Sequence, residues 1–96
     1  MSVVILGGNE RMERKYADLC REYDCDAKVF TKIQSGLRER IGNPDLLVLF
    51  TDTLSHKMVR TARSALKGVD TDVVHARTAS VSTLRRVLAE KTGMAQ

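Results

Sequence analysis

The segment Leu46–Phe50, LLVLF, is apolar at every position. Neighbouring side chains of a strand point to opposite faces, so a strand exposed on one side alternates apolar with polar residues. A strand without a polar face has to be covered on both sides, which is the situation of a parallel sheet between two helical layers. A few residues later the pattern turns helical. Met58, Val59, Ala62, Ala65 and Leu66 form one inward stripe, and Gly68 ends it.

The rest of the chain repeats this alternation. SVVILGG reads as a buried strand stopped by Gly7-Gly8, and NERMERKYADLCREY as a helix with Met12, Tyr16, Leu19, Cys20 and Tyr23 on one stripe. DAKVFTK is a second strand. SGLRERIG is a short helix with Ser35 as its N-cap, Leu37 and Ile41 inward, and Gly42 as the stop; Asn43-Pro44 marks a turn. TDVVHA is the fourth strand, and SVSTLRRVLAEKTG the last helix, with Val81, Leu84, Val87 and Leu88 inward and Gly93 at its end. Strands separated by helices predict right-handed crossovers in a parallel sheet. The expected fold is a small α/β Rossmann-like or flavodoxin-like three-layer sandwich, a single domain over 1–96, with strand order 2-1-3-4. Strands 1 and 3 are then neighbours at the switch point, where open α/β sheets bind ligands beyond the carboxyl ends of their strands.

Three loops reach that edge. They carry Gly7-Gly8-Asn9, Thr51-Asp52-Thr53-Leu54-Ser55-His56, and His75-Ala76-Arg77-Thr78-Ala79-Ser80. Gly7 and Gly8 suit either a tight turn or the close approach of a ligand. The pair lacks the third glycine and the downstream acid of a dinucleotide fingerprint. Ser55 and Ser80 (or Ser82) are natural helix caps, and their hydroxyls, with Thr78, also suit an anion at a helix N-terminus. Measured from Met58 at about 100° per residue, the inward stripe of the third helix centres at about 40° and His56 falls at about 160°. His56 is therefore not a core residue of its own helix. Arg60 and Arg63 fall near the same flank, which suits an anionic ligand or a carboxylate-bearing metal complex. His75 ends the fourth strand, where it faces either the same pocket or solvent. Asp52 stands where receiver domains keep their phosphoacceptor, but the acidic pair after strand 1 that would hold magnesium is replaced by Gly7-Gly8. Phosphoacceptor chemistry is not expected.

Sixteen basic against twelve acidic residues leave a net charge of +4. The cations are scattered, aromatics are few, and no nucleic-acid motif is present, so a small anionic ligand is expected ahead of DNA or RNA. Cys20 and Cys25 read as free thiols, Cys20 as a small buried hydrophobe. No apolar run approaches a membrane span, and the N-terminus reads as a strand rather than a leader, so the expected location is the cytoplasm.

The chain resembles a bacterial family defined as domain of unknown function 2325. The resemblance rests on VVILGGNERMERKY, CDAKVFTK, IGNPDLLVLFTDTLSHKMVRTA and RTASVSTL, with Ser55-His56 its most specific piece. Many members carry a histidine or serine near the position of Arg77, where this chain has arginine. Some members are associated with haem, so the resemblance implies a b-type haemoprotein with His56 as axial ligand and His75 as the weaker candidate. Haem iron takes a neutral imidazole, and the propionates want cations, for which Arg60, Arg63, Arg77, Lys57 and Arg11 are available. A domain this small has little interior to spare, so the slot is expected between two subunits of a homodimer. Gas or redox binding, sensing or haem handling is expected ahead of turnover. Two other readings stay open: a Rossmann-like module for a nucleotide or other phosphate-bearing ligand, held by Gly7, Gly8, Asn9, Ser55 and Ser80, and a protein-interaction domain without a small ligand.

Overall fold

The computed structural model describes residues 1–94. Four strands, β1 (Ser2–Leu6), β2 (Asp26–Phe30), β3 (Leu46–Phe50) and β4 (Asp72–Ala76), alternate with four helices, α1 (Glu13–Glu22), α2 (Leu37–Ile41), α3 (His56–Ala65) and α4 (Val81–Thr92). The strands form one sheet of order β2-β1-β3-β4, and every pairing is parallel. This is the α/β sandwich, with its switch point between β1 and β3, that the alternation predicts.

Period-two geometry divides the sheet between two cores. Val3, Ile5, Leu46, Val48, Phe50 and Ala76 pack with α1 and α4 through Tyr16, Leu19, Cys20, Leu84 and Leu88. Val4, Leu6, Leu47 and Leu49 pack with α2 and α3 through Leu37, Ile41, Met58 and Ala62. All five residues of β3 are buried, as a strand covered on both faces requires.

The helix boundaries depart from the sequence pattern in places. A single 3-10 turn, Glu10–Met12, precedes α1, and the Asn9 side chain accepts from the Arg11 amide at its start. Ser35 does not cap α2. Gly36, at φ 74°, directly precedes that helix and no side chain caps it. Five residues supply too few internal hydrogen bonds to hold a helix alone, and burial of Leu37 and Ile41 fixes it instead. Ser55 and Ser80 do cap α3 and α4, each accepting the amide three residues on. Among the described residues, no helix is long and apolar enough to cross a membrane.

Candidate functional site

The switch-point edge is laced by the chain's own groups. The Gly7 amide donates to the Phe30 carbonyl at 2.9 Å. The Gly8 amide donates to Thr53 Oγ1 at 2.7 Å, and that hydroxyl donates onward to the Phe50 carbonyl at 3.0 Å. Both glycines have positive φ, 97° and 88°. A Cβ on Gly7 would lie 2.8 Å from Thr53 Oγ1 and 3.0 Å from the Phe50 carbonyl, and one on Gly8 would lie 2.8 Å from the Tyr16 ring. The glycine pair is thus required by the close approach of β3's exit and of α1, with no need of a ligand to explain it.

Tyr16 draws in the third loop. Its hydroxyl donates to the Ala79 carbonyl at 2.6 Å, and its ring meets Phe50 with centroids 5.4 Å apart. Burial holds the phenol above its ordinary pKa. The Asp52 amide donates to the Arg77 carbonyl at 3.1 Å, while the Asp52 carboxylate sits 3.7 Å from the Arg77 guanidinium. Ser80 accepts from the Thr83 amide and donates to Thr83 Oγ1, and Thr78 bonds the same hydroxyl.

Much of the phosphate-holding set expected at this edge is therefore already engaged within the fold. The Gly7 and Gly8 amides, the Asn9 side chain, and the Ser55 and Ser80 hydroxyls all have partners within the fold. An anion bound through the Gly7 and Gly8 amides would have to break bonds the loops use to hold together, whereas Ser55 and Asn9 act here as acceptors and keep donors to offer.

The accessible apolar space lies on the α2/α3 side. A groove of about 460 Å³ opens between α3 and the β4 edge. Leu47, Leu49 and Val73 floor it, Val59, Ala62 and Leu66 wall it, and Leu54 with Thr51 closes the end toward the loops. It exists because the helical layer on this side covers β1 and β3 better than β4. Val73 and Leu66 pack against the core only in part. Two ionisable groups reach the groove, His75 from β4 and Arg63 from α3.

His75 pairs in register with Leu49. Period-two geometry therefore puts its imidazole on the same face as Val73, over the groove. The alternation in DVVHA is the sequence signal for this placement, which requires knowing which face of β4 goes uncovered. His56 is the first residue of α3, exposed, and not among the residues that line the groove. Arg60 and Arg77 are also exposed and outside it. Of the site residues named from sequence, the structure brings together His75 and Arg63.

The electrostatics of α3 are one-sided. It carries Lys57, Arg60 and Arg63 with no acidic residue. None of the three belongs to an ion pair among the described residues. Elsewhere some cations do find partners, such as Lys32 with Glu10 at 2.7 Å and Lys91 with Asp72 at 2.9 Å, and others, such as Arg85 and Arg86, have none among the described residues. No cluster of three or more His, Cys, Asp or Glu among the described residues is arranged to hold a bare metal ion.

No curated protein and no solved structure matches the chain significantly. A family model described as an uncharacterised protein conserved in bacteria matches residues 2–91. With nearly the whole sandwich inside that match, the chain belongs to the bacterial domain of unknown function 2325 family.

Proposed function

We propose that this protein binds haem b in the groove between α3 and β4, with His75 as the axial imidazole and Arg63 as a partner for a propionate. The observation that carries the reading is the pairing of a large apolar groove with one imidazole and one unpaired guanidinium at its rim. Ligand sites typically combine such a surface with a few placed polar groups. The residues present fit the group. The lining is mostly aliphatic, the iron needs only one or two protein ligands, and Arg63 at the rim offers a cation to a carboxylate. The chain has no C-x-x-C-H sequence, so attachment would be non-covalent.

The reading shifts the axial role from His56 to His75. His56 caps no apolar space, whereas His75 shares a face with Leu49 and Val73. Bound haem supplies iron at which a small gas or an electron is exchanged. The chain's own part is to exclude water from one face of the ring, hold an imidazole at the groove, and neutralise the carboxylates. This suits gas or redox binding, sensing or haem handling.

Titration of the purified chain with hemin, read by absorbance, tests the reading. Saturable growth of a sharpened Soret band is expected. His75→Ala is expected to abolish or shift the band, and His56→Ala to leave it. Arg63→Gln is expected to weaken binding by about tenfold, the equivalent of one charge-assisted hydrogen bond. A chain that never perturbs the hemin spectrum overturns haem binding. A band lost with His56→Ala and kept with His75→Ala moves the site to the start of α3.

A further inference from the structure

The two edges of the sheet are built differently on the side where the groove opens. On β2 the residues facing that side are Asp26, Lys28 and Phe30, opposite Ser2, Val4 and Leu6. Lys28 is exposed and its ammonium donates to the Arg40 carbonyl at the end of α2, at 3.4 Å. A lysine on an edge strand is a standard obstacle to pairing with another chain. On β4 the corresponding positions are Val73 and His75, half-buried and exposed, with no cation on that face of the strand. The groove beside them lacks a second wall.

We propose that a second copy of this chain pairs along β4, antiparallel and across a two-fold axis perpendicular to the sheet, and supplies that wall. The strand is self-complementary in a register centred on Val74. Val74 then meets its own counterpart, Val73 meets the partner subunit's His75, and Asp72 meets the partner subunit's Ala76. No like charges are opposed, and apolar groups meet across the join. An axis of this direction keeps both α2/α3 faces on one side of a continuous eight-stranded sheet. The two grooves become a single trough floored by β3 and β4 of each copy. Each copy contributes one His75 and one Arg63, so the trough is twofold in imidazole and guanidinium. A closed isologous contact of this kind also removes the open edge. The proposal takes the groove as the binding site, as above, and names the partner that completes it.

Size-exclusion chromatography with light scattering, on the chain before and after hemin loading, tests it. A dimer is expected in both states, held more firmly with hemin, because a dianion offsets the unpaired cations lining the trough. Val73→Lys, which copies onto β4 the obstacle present on β2, is expected to give a folded monomer by circular dichroism. Amide hydrogen exchange on the unmutated chain is independent of that variant. Residues 72–76 are expected to exchange more slowly than residues 26–30, the other edge. A monomer in both states, a dimer that survives Val73→Lys, or equal exchange at the two edges overturns the proposal. The Soret titration, run on the same samples, reports haem binding separately, so a haem-binding monomer sinks the dimer alone and a colourless dimer sinks haem alone.

Discussion

The two faces of the sheet are finished to different degrees. On one, α1 and α4, of ten and twelve residues, bury Tyr16, Leu19, Leu84 and Leu88 over the sheet. On the other, α2 has only five residues and α3 ten, and Val73, Leu54 and Leu66 remain partly open. The first face holds the fold. Tyr16 alone joins α1, the sheet at Phe50 and the loop before α4. The second leaves apolar surface beside unpaired cations, a combination that stabilises little by itself and suits a ligand or partner. A small chain cannot fully cover both sides of a sheet, and where it stops covering is where it can bind.

The largest expected effect separates the two faces directly. Leu88→Ala, on the closed side, should cost about 2–5 kcal/mol in denaturant unfolding. Leu66→Ala, in the groove wall, should cost under about 1 kcal/mol, because its site is already part open and leaves little cavity. Equal costs would break the comparison and mean that the groove is covered in solution. Next comes the lacing at the switch point. Gly7→Ala should cost about 1–3 kcal/mol, since it forces a side chain into left-handed backbone beside Thr53 and Phe50. A neutral result would mean those loops are not packed as described.

Two tyrosines sharpen the picture within the closed face. Tyr16→Phe should cost about 1 kcal/mol through loss of its bond to Ala79. Tyr23→Phe should be neutral or stabilising, because the Tyr23 hydroxyl is buried without a partner among the described residues. The final effect is alkaline and is nil at neutral pH. Burial pushes the Cys20 thiol from its ordinary 9.0 up to about 12, and burial also raises Tyr16. Between those two Cys20 values the unfolded chain releases a proton that the folded chain keeps, so stability should fall as pH rises from about 9 toward 12. Thermal melts across that range check it, and Cys20→Ala should flatten the slope.

Much of the fold is legible without coordinates. LLVLF demanded two covering layers, and Ser55, Ser80 and Gly93 placed the starts of α3 and α4 and the end of α4, while α3 stops at Ala65, short of Gly68. α2 was less legible. The run SGLRERIG shows Leu37 and Ile41 turned inward, but the helix starts after Gly36 in a left-handed turn instead of at a Ser35 cap. The site was least legible. The polar residues gathered after the strands suggested a ligand at the switch point, but their donors and acceptors meet one another across the loops.

What the sequence determined by itself is periodic: which residues face inward, which elements alternate, and so a parallel sheet in the order observed. What tertiary structure decided is which apolar surface remains uncovered. That depends on how far a helix of ten residues reaches across the sheet it packs on. Periodicity is a property of neighbours along the chain, whereas coverage is a property of elements meeting in space. The sequence pattern favoured His56 over His75, and the position of α3 relative to β4 gave the groove to His75.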